Sequence, residues 1–404
     1  MSRAEYEALA EDPQQFRAAV DELLAQYPAL FPAAMAQGYH LYGRSRRSVK
    51  MPDLRLRRIC LNEPDQHGRR QVYTVAPSGV LPYMAGETDA VEKALFLRRF
   101  GVPFWGLTYV FGRNDMYWQR LVLSLGRNEL VSTSVKAPDR LPQHLLADEK
   151  HSRLNGQKAY IATTVADECI LGASLALAAD EAQLTEAYGC FRQEARRLNP
   201  SYHPETVNTD GWSPTQLAWQ ALFPAITIIL CFLHAFLSIR ARGKHLKDTF
   251  RAIQQQVWDI YRAETVDHFR QQIADLQAWA SLHVTGPTLS AILKLCANAP
   301  RFALAFDHPH ACRTSNMLDR HMDPLDRCLY AAHYFHGHRH SAEYQVRAWA
   351  LLHNFQPYCP RSQIRLPYRS PFHRLNGFVY HENWLHNLLI AASLGHRYST
   401  NAIR

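Results

Sequence analysis

Apolar residues recur with two different spacings along residues 141–230, and the changes between them mark the predicted elements. Short runs dominated by apolar and β-branched residues predict buried β-strands. Between them, an apolar stripe over about 184–198 predicts a helix, and Ser213-Pro214 supplies the cap and first turn of another. The predicted order is three strands, a helix, a strand, a helix and a strand, which indicates an α/β fold with a mixed sheet. The predicted strands begin near residues 145, 158, 169, 206 and 226.

Beyond this region the spacing becomes helical. Residues 240–311 carry apolar positions at helical spacing and no strand pattern, so they predict an all-helical insertion. A further helix is predicted to begin near Ser315, with Asp319 one step from its apolar stripe. The nearly uncharged segment 221–239 has about the length of a membrane span. Its proline and histidine, and the arginines that follow, fit a strand followed by a helix better.

The N-terminal part carries patterns that are typical of DNA-binding regions. Residues 54–75 alternate apolar residues and arginines in two runs, which predict a β-hairpin with one basic face, facing either DNA or solvent. Residues 89–126 predict three short helices separated by glycine turns, the pattern of a helix-turn-helix unit. In such a unit the first turns of the last helix face bases and phosphates. We therefore predict a DNA-binding region over 1–135, with candidate contacts at Arg113, Asn114, Gln119 and Arg120.

Composition agrees with a folded protein that has a polyanionic partner. A chain of 404 residues, 47% hydrophobic and 20% charged, is long enough for two or three domains with sizeable cores. Its net charge is +9, from 45 Lys+Arg against 36 Asp+Glu, and arginine clusters precede residue 100. Eight cysteines are scattered without a Cys-x-x-Cys pair, and no signal-peptide pattern is present, which predicts reduced thiols in the cytoplasm.

Acidic residues follow two of the predicted strands. Asp148 ends the run that begins near residue 145, and Asp210 lies at the exit of the strand that begins near 206. Open α/β sheets hold their chemistry at strand ends. Two adjacent carboxylates repel unless a cation lies between them, so the pair predicts a divalent metal site. Asp319 is the candidate third ligand, and Glu343 is the reserve candidate for that position.

These pieces, in this order, resemble the DDE/DDD transposases of bacterial insertion sequences, and within them the Mutator-like group. The resemblance covers roughly residues 89–355. In that family an aspartate-glycine on the fourth strand is followed by Cys-x-x-His and then by an Arg-Thr-Thr-Asn-like stretch before the last acid. The family's third acid is usually glutamate, whereas this chain has Asp319. The matching elements are Ala147-Asp148-Glu149, Asn208-Thr209-Asp210-Gly211-Trp212, Cys231-Phe-Leu-His234 and Arg313-Thr-Ser-Asn-Met-Leu-Asp319.

The resemblance implies a ribonuclease H-like catalytic domain over 141–340, with its helical insertion at about 240–311, and a C-terminal arm over 341–404. It implies metal-dependent cleavage and joining of DNA strands at a site with two Mg²⁺ or Mn²⁺ ions. The implied partners are double-stranded DNA, as element ends and target, and further copies of the chain, without a membrane. The implied location is the bacterial cytoplasm, at the nucleoid. The implied roles are metal ligation by Asp148, Asp210 and Asp319 and support from Cys231 and His234. The candidate phosphate contacts near this site are Lys150, His151, Arg240 and Arg313.

Other interpretations stay open. Cys231 and His234 could form half of a zinc site with His308, His310 and Cys312. The chain could be a domesticated transposase that binds DNA as a regulator without cutting it. It could also be a nuclease of the same fold that hydrolyses DNA but never joins ends. The segment 366–404 could pack on the rest of the chain or contact a partner.

Overall fold

The structure, a computed structural model, describes residues 3–65, 67–393, 395, 397 and 398. These residues form two compact units. The first combines the described residues up to Arg140 with those from Tyr344 onward, and the second comprises Leu141–Glu343. A three-stranded sheet belongs to the first unit and a five-stranded sheet to the second. The described chain therefore has the mixed α/β class that the sequence predicts.

The first unit begins with two helices and an antiparallel sheet that share a hydrophobic core. The elements are α1 Arg3–Glu11, α2 Pro13–Gln26, β1 Tyr39–Arg44, β2 Arg57–Pro64 and β3 Arg70–Val75. Asp12 separates the helices, because its side chain accepts hydrogen bonds from the backbone N–H groups of Gln14 and Gln15 and so caps α2. The predicted hairpin is present as β2 and β3, and β1 pairs with β2 to make a third strand that was not predicted.

The predicted basic face of the hairpin is wrong at Arg57. This residue shares its side of β2 with Ile59 and Leu61, and all three are buried. Its Nε donates to the Ala10 carbonyl at 2.7 Å, and its guanidinium lies over the ring of Phe16. Burial is tolerated because α1 ends at this point and leaves a backbone acceptor for the charge.

Three helices follow where the sequence predicts them, and a fourth short helix closes the segment. They are α3 Asp89–Arg99, α4 Phe104–Phe111, α5 Asp115–Gly126 and α6 Leu130–Ser134. Gly101 and Gly112 end the first two in conformations with φ of 89° and 72°, which favour glycine. Asn114 caps α5 by accepting from the Tyr117 N–H at 2.8 Å. The assignment of these helices to a helix-turn-helix unit remains a prediction.

The second unit is built on the five-stranded sheet. Its first elements are β4 His144–Leu154, β5 Gln157–Ala166, β6 Cys169–Ala176, α7 Glu181–Leu198, β7 Thr206–Thr209, α8 Ser213–Leu222 and β8 Thr227–Leu230. The strands lie in the order β6-β5-β4-β7-β8. β4, β5 and β6 are antiparallel, whereas β7 runs parallel to both β4 and β8. β4 is therefore the central strand. After β6, at one edge of the sheet, α7 leads the chain across to β7, which lies beside β4.

The predicted all-helical insertion follows β8 and has a hydrophobic core of its own. Its helices are α9 Phe232–Gly243, α10 Asp248–Arg262, α11 Val266–His283, α12 Gly286–Ala297 and α13 Ala299–Ala303, and α14 Asn316–Ala331 then returns to the sheet. The segment 221–239 spans β8 and the start of α9. Within the described residues, no single helix has both the length and the apolar character needed to cross a membrane. One bent pair, Gly286–Ala297 with Ala299–Phe306, meets both requirements together.

The last helices are α15 Arg339–Phe355, α16 Pro360–Gln363, α17 Pro371–Asn376 and α18 Trp384–Ala391. The residues from Tyr344 onward belong to the same compact unit as the N-terminal region. Asn376 donates to the Ser134 carbonyl at 2.8 Å, and the Lys136 ammonium donates to the Ala391 carbonyl at 2.7 Å. Of the two roles considered for the C-terminal segment, packing on the rest of the chain is therefore observed. Residues 399–404 lie outside the described residues.

Gly126, at the end of α5, gives a test of packing in the first unit. A Cβ at this position would overlap the backbone carbonyl of Tyr344 on α15, which cannot move as a flexible side chain can. We expect Gly126→Ala to lower the free energy of unfolding by about 2–4 kcal/mol, because overpacking forces backbone shifts. Urea denaturation followed by circular dichroism measures this change.

Gly189→Ala is the matched control, because Gly189 lies within α7 and its Cβ would make an ordinary 3.7 Å contact with Leu222. This variant should gain about 0.5–1 kcal/mol from helix propensity. Equal stability of the two variants would show that α5 and α15 do not pack as described.

Candidate metal centre

The centre lies where β4 and β7 run side by side in parallel. Leu146 of β4 pairs with Asn208 of β7, so the same register continued by two residues brings Asp148 level with Asp210. Asp148 still lies within β4, whereas Asp210 is the first residue after β7. The Asp210 carboxylate accepts a hydrogen bond from the Trp212 N–H at 2.8 Å, which fixes the turn into α8.

The electrostatic environment of Asp148 disfavours its charge. Burial, and then the neighbouring charge of Asp210, raise the pKa of Asp148 to about 6, and Asp319 adds to the rise. The Glu149 N–H, which donates to Asp148 at 2.8 Å, and the charge of His234 act in the opposite direction. Acidic side chains from three separate parts of the chain therefore influence one another here.

The third acid reaches the centre from the first turn of α14. Ser315, which is buried, donates its hydroxyl to the Asp319 carboxylate at 3.2 Å. The Ser315 N–H donates to the Cys231 thiol at 3.2 Å, and its hydroxyl lies 3.4 Å from Nδ1 of His234. Cys231 precedes α9 and His234 lies in its first turn. Ser315 therefore joins the starts of α9 and α14 and holds Asp319 beside the sheet.

Asp148, His234 and Asp319 form one potential ligand group. Each offers one donor atom, these atoms all lie within 4.8 Å of one another, and all three side chains are half-buried. Two carboxylate oxygens and an imidazole nitrogen can hold a divalent metal ion. Asp210 is not a member of this group of three, although its charge acts on Asp148.

Cys231 and His234 behave as a coupled pair. The hydrogen bond with Cys231 is the largest cause that raises the pKa of His234 to about 9; burial opposes it, and the charges of Cys231, Asp148 and Asp319 reinforce it. Burial opposes ionisation of the Cys231 thiol, but its hydrogen bonds with His234 and Ser315 outweigh burial and lower its pKa. Without a metal ion, these interactions favour the protonated imidazole, so ligation of a metal by His234 would require loss of that proton.

Glu149 supports the strand that carries Asp148. It is buried, and burial raises its pKa to about 7 although two hydrogen bonds act against this. The hydroxyls of Tyr188 and Thr215 donate to the same carboxylate oxygen at 2.6 and 2.7 Å. Because Tyr188 lies on α7 and Thr215 on α8, this residue ties both helices to β4.

Glu343, the reserve candidate, lies in a different environment. It is buried and pairs with Arg339 at 3.2 Å. Arg339 also donates to Glu186 on α7 and to the Leu175 carbonyl on β6. β6 is the edge strand two positions from β4. The structure therefore brings Asp319, and not Glu343, to Asp148.

The candidate phosphate contacts near this centre are differently engaged. Lys150 pairs with Asp326 at 2.5 Å. Arg313 donates to the Ala263 carbonyl, and its guanidinium lies over the rings of Tyr261 and Phe306, so it packs within the helical region. Arg240 is exposed in the last turn of α9, and its side chain forms no hydrogen bond or ion pair with the residues that the structure describes.

The four candidate DNA contacts of the first unit lie at the start of α5 and just before it. Arg113 has a φ of 64° and lies over the Tyr117 ring, and the Asn114 side chain is occupied as the helix cap. Gln119 is half-buried. Arg120 is exposed, and its side chain makes no hydrogen bond or ion pair with any described residue. Of the two arginines, Arg120 is therefore the more available.

Sequence reasoning missed the roles of Ser315 and Glu149. Glu149 could have been suspected, since it follows Asp148 on a strand of alternating faces and must point to the opposite side of the sheet. Ser315 gave only the signal of a helix start, and its contact with Cys231 joins residues 84 positions apart.

The sequence matches no protein-family model, and the search of curated proteins finds no match either.

Asp148 gives a test of the electrostatics of this centre. A carboxyl group whose pKa is raised from 3.8 to about 6 in the folded protein costs stability once it ionises, so this cost appears as pH rises through about 4 to 6. Without metal, we expect Asp148→Asn to raise the free energy of unfolding by about 1–3 kcal/mol near neutral pH and by almost nothing near pH 4. Urea titrations with a chelator present measure both values.

Asp323→Asn, an exposed residue one turn beyond Asp319 on α14, is the control and should leave stability nearly unchanged. Adding Mg²⁺ or Mn²⁺ should stabilise the wild type more than Asp148→Asn, because a bound cation favours the ionised carboxylates. Destabilisation by Asp148→Asn near neutral pH would contradict the described charge environment.

Proposed function

We propose that this protein is a metal-dependent DNA transposase of the DDE/DDD class. The observation that carries the proposal is the convergence of Asp148 from β4, Asp210 from the end of β7 and Asp319 from α14 on one side of the sheet. Three acids that are distant in sequence share their electrostatic environment, although their mutual repulsion is unfavourable for folding. Such an arrangement is expected at a functional site.

The arrangement of the elements supports a ribonuclease H-like catalytic domain. Three antiparallel strands followed by two parallel strands, with the first strand central, fit that fold. An all-helical insertion after β8 and a helix that then returns the third acid also fit the resemblance. The helices after β8 share one core whose buried residues run from Leu230 to Ala303, which supports an insertion in this part of the chain.

The residues of the centre fit a divalent cation. The raised pKa of Asp148 reflects neighbouring negative charge that a cation would offset, and carboxylate oxygens are the ligands that Mg²⁺ and Mn²⁺ prefer. In the proposal Asp148, Asp210 and Asp319 hold two such ions. When bound, the ions would activate the attacking water or DNA 3′-hydroxyl and stabilise the leaving oxygen of the phosphodiester.

The chain's own residues then have distinct roles. Ser315 positions Asp319 through its hydroxyl, and Glu149 holds the β4 backbone that carries Asp148. His234 keeps positive charge beside Asp148 and Asp319 when the pH is below about 9. The same positive charge can attract a DNA phosphate to the centre. Arg240, exposed on α9, is the proposed phosphate contact that has no competing partner among the described residues.

DNA recognition is proposed for the helices α3, α4 and α5. The net charge of +9 supports a polyanionic partner, and the exposed Arg120 on α5 supports a contact with the DNA backbone. In this proposal the protein works at the nucleoid on paired element ends, as an assembly of several copies. Element ends and target are both double-stranded DNA.

Metal-dependent cleavage is the central test. With DNA that carries the ends of the parent element, we expect Mg²⁺-dependent nicking and strand transfer by the wild type. Asp210→Asn and Asp319→Asn should each reduce both reactions by about 10³-fold or more, because each carboxylate contributes to metal binding at the reacting phosphate. Gel assays of labelled end DNA measure nicked and joined products.

Asp323→Asn on the same helix and Glu343→Gln, which lies with Arg339, are the controls and should remain active. Loss of activity in Glu343→Gln with survival of Asp319→Asn would move the third ligand to Glu343. Nicking without joining would identify a hydrolytic nuclease. Binding of the ends without cutting or joining under any divalent metal would identify a regulator instead.

DNA binding through α5 is tested with Arg120→Ala. The logarithm of the binding constant falls linearly with the logarithm of the salt concentration, and loss of one phosphate contact should make this slope shallower by about 0.9. DNA binding should weaken by a similar factor on all sequences. Fluorescence anisotropy with labelled duplexes measures the slope. Arg251→Ala, an exposed arginine on α10 that pairs with Asp248, is the charge-matched control. Equal slopes for the two variants would remove Arg120 from the DNA contacts.

A further inference from the structure

A second group of potential metal ligands lies in the sheet unit, away from the acids. His144 begins β4, Glu205 immediately precedes β7, and His308 follows α13 in the loop that leads back to the sheet. Each offers one donor atom, and these atoms all lie within 4.8 Å of one another. Nδ1 of His308 lies 3.5 Å from a carboxylate oxygen of Glu205. Three segments far apart in sequence thus present two imidazoles and a carboxylate to one point.

This group is distinct from the acidic centre. Glu205 precedes β7 and Asp210 follows it, so five residue steps separate them by about 16 Å along the sheet. His144 likewise begins β4, whereas Asp148 lies farther along the same strand. The two groups therefore lie at opposite ends of β7.

His144 is oriented for ligation by a buried neighbour. Its Nδ1 lies 3.1 Å from the hydroxyl of Thr206, which is 1% exposed. Engagement of Nδ1 by this hydroxyl leaves Nε2 as the nitrogen available to a metal, and such second partners commonly fix the tautomer of metal-binding histidines. Burial lowers the pKa of His144, and the nearby His308 and His310 act in the same direction, whereas Glu205 opposes them.

A fourth potential ligand, and the third imidazole, is close by. His310 follows His308 by two residues, and its ring centroid lies 6.4 Å from that of His144. The centroid of His308 lies at 6.0 Å from the same ring. Because His310 is exposed, its side chain can rotate toward the group without disturbing a packed core. Three imidazoles and one carboxylate would complete a four-coordinate set.

We propose that His144, Glu205 and His308, with His310 as the fourth ligand, bind one transition-metal ion of the Zn²⁺ type. A set dominated by imidazole nitrogen favours Zn²⁺ over Mg²⁺, which prefers oxygen ligands. This assignment differs from the zinc pairing considered from the sequence. Cys231 and His234 contact Ser315 and the acidic centre, and the Cys312 carbonyl accepts a hydrogen bond from Asn208.

Such an ion would anchor the loop that leads into α14, the helix that carries Asp319. The loop after α13 is already held by Asn208, which donates to the Cys312 carbonyl at 3.0 Å, and by the Phe232 N–H, which donates to the Arg313 carbonyl at 3.1 Å. A metal between His308 and the sheet adds a third attachment a few residues earlier. The bound ion therefore has a structural role, and α14 begins from a loop fixed at both ends.

The test measures Zn²⁺ binding by the full chain after chelator treatment, with competition against a chromogenic chelator, and records the visible spectrum with Co²⁺ in its place. We expect one tightly bound ion and a Co²⁺ spectrum of tetrahedral type with nitrogen and oxygen ligands. His308→Ala and His144→Ala should each weaken Zn²⁺ binding by at least about 100-fold. Thr206→Val, which keeps shape and removes the hydroxyl, should weaken it by about 10–100-fold.

Two controls locate the ion. Asp148→Asn combined with Asp319→Asn should keep both the affinity and the Co²⁺ spectrum, because these residues belong to the other centre. His283→Ala, an exposed histidine on α11, should also change neither quantity. Circular dichroism without metal verifies folding, and if His144→Ala is unfolded, His308→Ala in its exposed loop decides. Unchanged Zn²⁺ affinity in His308→Ala, or loss of the ion in the double aspartate variant, would overturn the proposal.

Discussion

The second unit depends on holding like charges together in a partly buried place. Two like charges about 4 Å apart repel by about 4 kcal/mol where the effective dielectric constant is about 20. Asp148 experiences such repulsion from Asp210 and Asp319, in addition to burial, and its raised pKa records both. Carboxylates held this close together lower the stability of the fold. They remain together because the contacts around them hold them in place. Glu149 with its two hydroxyl partners, and Ser315 with its thiol, carboxylate and imidazole contacts, supply part of that packing.

Asp319 reaches the sheet from a part of the chain that is distant in sequence. Asp319 comes after the long helical region that follows β8, yet it must return to β4. The helical region has a continuous core of its own, so it can hold its ends at fixed positions instead of acting as a loose loop. Its exit is tied to β7 through Asn208 and to the start of α9 through the Phe232 N–H. His308 and His310, in the same exit loop, lie beside His144 at the start of β4, so the loop also contacts the central strand.

Local patterns predicted much of this fold, whereas contacts between distant segments could not be predicted. Strand-end reasoning selected Asp148 and Asp210, and helical spacing after the insertion selected Asp319, because these signals are contained in short windows. β1 was missed because its residues lack a clear apolar alternation. Arg57 was misassigned because alternation shows which residues share a face but not which face is covered. The group at His144 joins segments separated by about 60 and 160 residues, and no spacing rule connects them.

In the proposed function the third acid is an aspartate, and the position at which α14 begins fits its short side chain. A glutamate, the usual residue of the resembled family, reaches one methylene farther than aspartate. In this chain the Ser315 N–H bonds to the Cys231 thiol, so the first turn of α14 starts directly beside the start of α9. Asp319 lies in that first turn, four residues after Ser315, and its donor atom is within 4.8 Å of those of Asp148 and His234. The aspartate side chain is therefore long enough to reach Asp148 and His234, and the Ser315 hydroxyl donates to its carboxylate.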